Sequence, residues 1–348
     1  MKILHIIDTL APGGAERMCL TTANLFASKG YQVSVLEVLT PGPLNEFLHP
    51  SIRQKYLNRK SKWSIGTMRK LVHIMKEYNV VHVHMRHVYR YVFLASLFTK
   101  KKLILHDHFN TFPENWKSKV IFRILLKRKI YVSVNQIGSK WATDFLQLSP
   151  DRVFNVSNII IPKNVKTGKH NSNKLVLVSN IKPEKYIEFI IPLALEINRK
   201  DSSVVIDVIG KIMDKRYYKE ILTQLKTYGI QDRVRFITNV DSVQDVLCNY
   251  ALGLHFSKKE SGPLVLLEYL AQSLPFVAYR TGEVAEKLYT SLPMFFMTNH
   301  DELAWSEKVL DLRHQEIDYT VLNTVFNANN SIEEYFNQWL RIYERSLY

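Results

Sequence analysis

Short runs of apolar and β-branched residues recur along the chain and are separated by longer segments with apolar residues at helical spacing. The runs that predict β-strands are Lys2–Ile7, Gln32–Val38, Val80–His84, Lys102–His106, Ile130–Val134, Lys174–Ser179, Val204–Ile209, Val234–Ile237, Leu252–Phe256 and Phe276–Tyr279. After its lysine, the first run is entirely apolar except for one histidine, which is typical of a strand buried on both faces.

Helical spacing between these runs is clearest in Ala15–Ser28, Ile187–Arg199, Tyr217–Tyr228 and Pro263–Ala271. Alternation of strands and helices predicts parallel sheets covered by helices. We therefore predict an α/β protein with two doubly wound, Rossmann-like domains. Ligands of such sheets bind at the carboxyl ends of the strands, so two facing sheets would place a cleft between the domains.

The clearest candidate for a domain boundary is Pro162–Asn173, PKNVKTGKHNSN, which is polar, turn-rich and without apolar periodicity. We predict an N-terminal domain over residues 1–162 and a C-terminal domain over residues 163–330. Residues 331–348 have apolar side chains at helical spacing and are predicted to form a helix that packs back on the N-terminal domain.

The composition is that of a globular protein: 348 residues, 46% of them hydrophobic and 23% charged. The first apolar run, Ile3–Ile7, is short and is followed by Asp8, so it does not predict a signal peptide. No stretch approaches the roughly 20 apolar residues that cross a bilayer. Cys19 and Cys248 match no metal-ligand or redox spacing. We predict a reduced, cytoplasmic protein.

The net charge of +15 is distributed unevenly along the chain. Residues 1–165 hold 25 Lys and Arg against 9 Asp and Glu, a net +16, and the remainder holds 22 against 23, a net −1. A one-sided positive field attracts anionic partners such as a membrane surface, a phosphorylated lipid or a nucleic acid. A basic surface that only favours solubility is the alternative.

The segment Ser257–Glu268, SKKESGPLVLLE, combines a strand end, a loop and the start of a helix. Its loop carries Glu260, and Gly262 and Pro263 open the predicted helix, where a proline in the first turn is favourable.

The first amides of that helix, at Leu264 and Val265, together with the positive end of the helix dipole, form a site for a diphosphate. Glu260, before the helix, can reach the hydroxyls of a sugar. Glu268 lies one turn beyond Leu264 on the same helix face, where its carboxylate can accept hydrogen bonds from a ribose diol.

The stretch ESGPLVLLEYLAQSLPFVAYRTGEVAE, residues 260–286, resembles the donor-binding signature of family 4 retaining glycosyltransferases, which have the GT-B fold. The resemblance implies that Glu260 contacts the donor sugar and Glu268 the nucleotide ribose. The start of the chain, IIDTLAPGGAERMCLTTANLFASKGYQVSVL, is similar to the family's opening strand, glycine-rich loop and first helix. Gly13 and Gly14 would let the backbone approach the donor phosphates or the acceptor.

The segment LILHDHFNTF carries histidines at the end of a predicted strand, where the family has a histidine near the donor sugar. Its H-x-H-x-N form resembles capsule-type members, so we favour His108, with His106 as the alternative. Metal binding by His106, Asp107 and His108 is disfavoured, because adjacent strand residues point to opposite faces. His82 and His84 lie on one face, and we predict a structural role or a part in the acceptor cleft for them.

The sequence departs from the family at LVSNIKPEKY, after the first strand of the second domain. Relatives usually have a glycine, an arginine and, five residues later, a lysine there, and the two cations hold the donor diphosphate. Ser179, Asn180 and Lys185 stand at these positions. Lys185 can serve, whereas Asn180 cannot supply the charge that stabilises a leaving nucleoside diphosphate. Lys211 and Lys182 are candidates to compensate.

The segment Trp116–Lys129, WKSKVIFRILLKRK, has an apolar stripe and six Lys and Arg residues. That composition is typical of a helix lying on an anionic membrane. The alternative is an ordinary surface helix whose apolar face packs on its own sheet. The one-sided charge favours membrane contact, at the inner face of the cell membrane.

The resemblance implies transfer of a sugar, with retention of configuration, from a nucleoside diphosphate donor, with UDP favoured, to a hydroxyl acceptor. Biosynthesis of a surface polysaccharide, with a lipid-linked glycan as acceptor, is the implied setting. No Asp-x-Asp element is suitably placed, so we expect no metal and no cofactor. The departure at Asn180 supports one alternative, a catalytically impaired accessory subunit. The basic half suggests a second, a nucleic-acid-binding protein, but no RNA-binding motif accompanies it.

Overall fold

The computed structural model of the protein describes residues 1–61, 64–99, 101–109, 111–163, 173–240, 242–260, 262–315 and 317–347. These residues divide into two compact units, Met1–Ile159 with Ile332–Tyr348, and Ile160–Ser331. The division falls just before residue 162, and the C-terminal helix is part of the first unit. Residues 164–172 of the predicted linker lie outside the described residues.

The first unit contains a parallel sheet of seven strands in the order β3-β2-β1-β4-β5-β6-β7. The strands are β1 Lys2–Ile7, β2 Gln32–Glu37, β3 Arg53–Tyr56, β4 Val80–His84, β5 Leu103–Asp107, β6 Ile130–Ser133 and β7 Val153–Asn155. The chain runs outward from β1 to one edge and returns to β4 to build the other half. The carboxyl ends of β1 and β4 therefore flank the point at which the strand order reverses, where open α/β sheets bind ligands.

The second unit contains a parallel sheet of six strands in the order β10-β9-β8-β11-β12-β13. The strands are β8 Lys174–Val178, β9 Val205–Ile209, β10 Val234–Ile237, β11 Leu252–His255, β12 Phe276–Tyr279 and β13 Phe296–Met297. The strand order reverses between β8 and β11, so the loops after these two strands meet at the corresponding position of this sheet. The predicted pair of doubly wound α/β units is confirmed.

The α-helices lie between the strands and at the C-terminus. They are α1 Gly14–Ser28, α2 Ile65–Lys76, α3 Arg86–Ser96, α4 Trp116–Leu126, α5 Gln136–Lys140, α6 Ile190–Lys200, α7 Lys215–Thr227, α8 Leu264–Ala271, α9 Glu283–Ser291, α10 Glu302–His314, α11 Tyr319–Asn329 and α12 Ile332–Leu347. Among the helices of the described ranges, none has the length and hydropathy needed to cross a membrane.

The C-terminal helix α12 buries its apolar face against the first unit. Tyr335, Trp339, Ile342 and Tyr343, spaced at helical intervals, are all buried. The hydroxyls of Tyr335 and Thr22 lie 2.7 Å apart, which ties α12 to α1. Because a buried hydroxyl requires a hydrogen-bond partner, this contact fixes the rotation of α12 as well as its position.

Several predicted elements differ from the structure. Strands β3, β7 and β13 were not predicted because they are short and lie at or next to sheet edges, where alternation is weak. The single helix predicted over Ile187–Arg199 is wrong at its start. Tyr186 has a left-handed backbone, with φ 54°, Ile187–Phe189 forms a 3₁₀ turn, and α6 begins only at Ile190.

Candidate functional site

The loop after β11 brings three ionisable side chains of the second unit together. Lys185 Nζ lies 2.5 Å from Glu260 Oε1, and His255 Nε2 lies 3.4 Å from the same carboxylate oxygen. His255 is the last residue of β11, and Lys185 ends a 3₁₀ turn, Pro183–Lys185, in the segment after β8. The strand-order reversal between β8 and β11 therefore explains why residues so far apart in sequence meet.

This arrangement keeps Glu260 ionised. Burial opposes its ionisation, but the hydrogen bond from His255 and the charge of Lys185 outweigh burial and lower its pKa to about 2. At neutral pH the carboxylate therefore accepts hydrogen bonds and stabilises positive charge, and it cannot act as a general acid.

Helix α8 starts immediately after this loop. Its first residue is Leu264, and Pro263 is the N-cap rather than a residue of the first turn, which corrects the predicted start by one position. The first hydrogen bond at this end runs from the Leu266 amide to the Pro263 carbonyl, at 3.2 Å. The amides of Leu264 and Val265 precede that bond, so helix geometry gives them no partner within α8. Free amides at a helix N-terminus can donate hydrogen bonds to a phosphate.

Glu268 is one turn further along α8 and is 9% exposed. Glu268 is the residue predicted to contact the ribose of the donor. Its burial on α8 is consistent with a carboxylate held in a fixed position.

Gly282 packs against the loop that carries Glu260. Gly282 has a left-handed backbone, φ 84°, and a Cβ there would lie 3.0 Å from Pro263 and 3.1 Å from Glu260. The Glu260 amide donates to the Thr281 hydroxyl, at 3.3 Å, which joins the same two loops. Gly262 packs at the same junction, since its Cβ would lie 3.2 Å from the Val284 side chain. Ser261 lies outside the described residues.

Asn180 joins two loops of the second unit. Its side-chain oxygen accepts a hydrogen bond from the Lys211 amide, at 3.2 Å. Gly210, next to Lys211, is required here because a Cβ would lie 2.0 Å from the Ser179 carbonyl oxygen. Asn180 thus has a structural contact at the position where relatives have an arginine, and Lys211 is exposed beside it.

Two polar side chains of this region were missed by the sequence analysis. Among the described residues, His255 Nδ1 and Ser257 Oγ are buried without a hydrogen-bond partner. Both flank the end of β11, and a histidine as the last residue of a strand is the signal that could have identified His255. Groups of this kind can bind a ligand at little desolvation cost, because they form no bond that must be broken.

In the first unit, Gly13 is the N-cap of α1 and Gly14 its first residue. A Cβ on Gly13 would lie 2.2 Å from a carboxylate oxygen of Glu16, so the glycine leaves room for that side chain. Burial raises the pKa of Glu16, and the negative charge of nearby Asp8 acts in the same direction. A phosphate bound here would have to displace Glu16, and donor binding by Gly13 and Gly14 stays a prediction.

The segment His106–Asp107–His108 is divided between two environments. The rings of His106 and His108 lie 3.9 Å apart, whereas Asp107 pairs with Arg86, Nε to carboxylate 3.0 Å, and accepts from Tyr131 at 2.9 Å. Arg86 also donates to the Thr111 carbonyl, at 2.7 Å. The three side chains therefore point in different directions, which is what the alternation of side chains along a strand predicts. Arg86 also ties down the segment after His108 through its hydrogen bond to Thr111.

Two groups in the described part of the chain bring possible metal ligands within 4.8 Å of one another: His82, His84 and His106, and His5, Cys19 and His84. The rings of His82 and His84 are stacked, 4.3 Å apart and 16° from parallel. Imidazole lone pairs lie in the ring plane, so stacked rings direct them side by side rather than toward a common ion. Both nitrogens of His84 are also engaged with other histidines.

Two family models match the chain in succession. The model described as Glycosyltransferase Family 4 matches residues 12–160, and the model described as Glycosyl transferases group 1 matches residues 161–324. The first match includes Gly13, His108 and every strand of the first sheet except β1, and the second includes Lys185, Glu260 and the strands of the second sheet.

Among curated proteins, the chain is similar to an uncharacterized glycosyltransferase of Haemophilus influenzae, 22% identical over 318 residues, 88% of each chain. It is 30% identical to N-acetyl-alpha-D-glucosaminyl L-malate synthase of Bacillus anthracis over 123 residues, 34% of this chain and 30% of that protein. The crystal structure of Anabaena HepE (Alr3699) in complex with UDP and glucose shares the GT-B fold. It has a TM-score of 0.82 and 17% identity, over 99% of this chain and 100% of that one. The chain belongs to the family 4, group 1 glycosyltransferases.

Proposed function

We propose that this glycosyltransferase moves a sugar from a UDP-sugar to a hydroxyl of a lipid-linked glycan, with retention of anomeric configuration, in the biosynthesis of a surface polysaccharide. The observation that carries the proposal is the joined group of Lys185, Glu260 and His255, which directly precedes the N-terminus of α8. Support for UDP comes from HepE, a protein of the same fold that was crystallised with UDP and with UDP-glucose.

The leaving diphosphate would be stabilised by fixed positive groups of the second unit. Negative charge grows on the diphosphate as the glycosidic bond breaks, and preorganised donors that face it lower the barrier. The amides of Leu264 and Val265 and the ammonium of Lys185 supply such donors. Lys185 has three N–H groups, so it can contact a phosphate without leaving Glu260. We propose that the reaction requires neither a metal nor a cofactor.

Glu260 would orient the sugar as an ionised carboxylate. Its pKa of about 2 keeps it negative over the physiological range. An ionised carboxylate accepts from the hydroxyls of the donor sugar and stabilises the positive charge that develops on the sugar ring. His108 of the first unit would contribute a hydrogen bond to the reacting sugar, with His106 as the alternative residue. Glu268 would bind the ribose.

A lipid surface is the proposed location of the acceptor. Helix α4 buries Phe122 and Leu126 against its own unit, so the predicted packing alternative accounts for one side of the helix. Another side remains exposed, with Trp116 71% and Ile124 61% accessible together with Val120 and Ile121.

We call Trp116, Val120, Ile121 and Ile124 the α4 stripe. Basic residues surround it, namely Lys117, Lys119, Arg123, Lys127 and Arg128. Exposed Leu97 and Phe98 follow α3, and Lys129 Nζ donates to the Lys101 carbonyl, at 3.2 Å, which ties that segment to the end of α4. Apolar side chains ringed by cations suit the headgroup boundary of an anionic membrane. We therefore propose a cytoplasmic protein that is peripheral on the inner face of the cell membrane.

The test is release of nucleoside diphosphate from UDP-, GDP- and ADP-sugars, with EDTA present and with lipid extract as acceptor. Wild type is compared with Glu260→Gln, and Glu220→Gln is the control, since Glu220 forms an exposed ion pair with Arg216 on α7. We expect release from a UDP-sugar that Glu260→Gln abolishes and Glu220→Gln preserves. Binding of UDP without release from any donor would favour the accessory-subunit alternative, which the uncharged Asn180 supports. No binding of any nucleotide would contradict the proposed donor site.

A further inference from the structure

Five histidines of the first unit form one buried cluster: His5, His82, His84, His106 and His108. Strand register explains their proximity. His5 of β1 is directly opposite His82 of β4, and His84 of β4 is directly opposite His106 of β5. Alternate residues of a strand share a face, so the four strand histidines lie on the same side of the sheet.

Three of these histidines are joined end to end by hydrogen bonds. His5 Nδ1 lies 3.1 Å from His84 Nε2, and His84 Nδ1 lies 3.2 Å from His108 Nε2. These bonds connect His5, which is fully buried, with His108, which is partly exposed and follows β5. We call His5, His84 and His108 the histidine chain.

The other two histidines lie beside the histidine chain without joining it. His82 Nδ1 bonds to the Tyr343 hydroxyl of α12, at 2.8 Å, and its ring stacks on Trp339 at 4.4 Å. Among the described residues, neither ring nitrogen of His106 has a hydrogen-bond partner. His82 is therefore a control that is as buried as His84 but has no hydrogen bond to His108.

The histidine chain restricts where protons can reside. Burial lowers the pKa of His5, His84 and His108, so at neutral pH each ring carries a single N–H. A neutral imidazole donates from one nitrogen and accepts at the other. Two linked bonds therefore allow only two arrangements, and all three rings change together between them.

The two arrangements leave different orphaned groups. In one, His5 donates to His84 and His84 to His108, which leaves a lone pair on His5 Nε2 and an N–H on His108 Nδ1. In the other, the orphaned N–H is on His5 Nε2. Among the described residues neither atom has a protein partner, and both are buried. An orphaned buried N–H is costly. The cost is lower at His108, a residue that is partly exposed, than at His5, which is fully enclosed.

Building on the function proposed above, we propose that His84 and His5 are positioning residues of the transferase. They hold His108 as the Nδ1–H tautomer, so that it donates a hydrogen bond to a hydroxyl oxygen of the bound sugar and does not act as a base. The bond made by one ring nitrogen determines the role of the other. The tautomer of His108 is thus controlled by strands β1 and β4, which need not touch the ligand themselves.

The test is the tautomer of His108, measured by long-range proton–nitrogen correlation on protein labelled with ¹⁵N-histidine, with spectra assigned by single substitutions. We expect Nδ1–H in wild type. His84→Phe should release His108 toward the Nε2–H form and lower kcat about tenfold with unchanged affinity for UDP, as loss of one hydrogen bond to a reacting group predicts. In His84→Asn the side-chain amide takes the place of Nδ1 and should restore both the tautomer and most of the rate.

His82→Phe should leave the tautomer of His108 unchanged and its rate within twofold of wild type. Circular dichroism and the melting temperature show whether each variant is folded. An Nε2–H tautomer in wild type would overturn the proposal, as would the same change of tautomer in His82→Phe and in His84→Phe. The tautomer is observed without any substrate. Failure to detect sugar transfer would therefore contradict the proposed function while the test of the histidine chain still stands.

Discussion

Lys185 Nζ and Glu260 Oε1 lie 2.5 Å apart, so two residues that the sequence assigns to different parts of the donor form one ion pair. The pair gives each residue two roles. Lys185 keeps Glu260 ionised and, in the proposed function, would also supply charge to the diphosphate. Glu260 holds the ammonium group in place and would also bind the sugar.

The first prediction concerns this ion pair. Lys185→Ala removes a cation from the leaving group and is expected to lower kcat about 10²–10³-fold, the range measured for single electrostatic donors. Glu260 then remains buried without its cation, so its pKa should rise from about 2 and the acid limb of the kcat/KM profile should move to higher pH.

Lys185→Arg keeps the charge and should retain a larger part of the rate. The control is Lys200→Ala, because Lys200 pairs with Glu307 on α10. An acid limb at the same pH in wild type and Lys185→Ala would show that Lys185 does not control the ionisation of Glu260.

The second prediction separates backbone strain from site geometry. Gly282 and Gly229 both have left-handed backbones, φ 84° and φ 66°, but a Cβ meets Pro263 and Glu260 only at Gly282 and meets nothing within 4 Å at Gly229. Alanine at either position should lower the free energy of unfolding by about 1–2 kcal/mol. Only Gly282→Ala should also weaken UDP binding, several-fold, by moving the loop that carries Glu260 and Pro263. Urea unfolding measures the loss of stability, and calorimetric titration with UDP measures the change in affinity. Equal UDP affinity in both variants would show that Gly282 does not position the loop that carries Glu260.

The third prediction concerns Asn180. Asn180→Ala removes the hydrogen bond to the Lys211 amide and should lower the free energy of unfolding by about 1 kcal/mol. Because Asn180 is uncharged, the substitution should reduce kcat far less than Lys185→Ala does. Steady-state kinetics on both variants provides the comparison, and a loss as large as that of Lys185→Ala would assign Asn180 a direct contact with the donor.

The fold could be predicted from sequence because its strands are buried and parallel. Strands covered on both faces are continuous apolar runs, and β1, β4 and β12 match the predicted bounds. The edge strand β3 was missed because its sequence, RQKY, is polar and partly exposed, which is how edge strands avoid unwanted pairing.

Site residues could be predicted where they belong to one continuous sequence motif. Contacts between residues that are brought together by the order and register of the strands could not be predicted. Glu260, Leu264 and Glu268 belong to one continuous motif, whereas the contact between Lys185 and Glu260 spans 75 positions. The histidine chain is a stronger case. His5 and His84 meet only because β1 and β4 are neighbours in the sheet, and no local pattern contains that information.

The fourth prediction is that acid destabilises the first unit through its buried histidines. Burial lowers the pKa of each clustered histidine, to about 3 for His5 and His108. A lowered pKa means that the folded state excludes the proton. The free energy of unfolding is therefore highest above pH 6.5, about the pKa of a histidine in the unfolded chain, and falls as the pH drops from there toward the pKa of the folded state. Each histidine should contribute about 1.4 kcal/mol per pH unit to the slope.

Urea unfolding between pH 7.5 and 5 measures that slope. His106→Leu should reduce it by about 1.4 kcal/mol per pH unit, because burial lowers the pKa of His106 and the substitution removes the group that must take up the proton. His73→Gln is the control, since the His73 side chain is 84% exposed. A slope in His106→Leu that equals the wild-type slope would show that the buried histidines do not determine acid stability.

The fifth prediction is that the α4 stripe binds anionic lipid. Wild type should float with vesicles of phosphatidylcholine and phosphatidylglycerol but not with phosphatidylcholine alone, and salt should weaken the binding because surface charges are screened. Trp116→Ser with Ile124→Ser should abolish flotation, since each removes a large exposed apolar group. Leu303→Ser is the matched control, because Leu303 is also exposed, at 52%, but lies on α10 of the second unit, whose 21 Lys and Arg and 20 Asp and Glu nearly cancel. Loss of flotation in Leu303→Ser as well would indicate non-specific adsorption, and unchanged flotation in the double variant would place the lipid contact elsewhere on the basic unit.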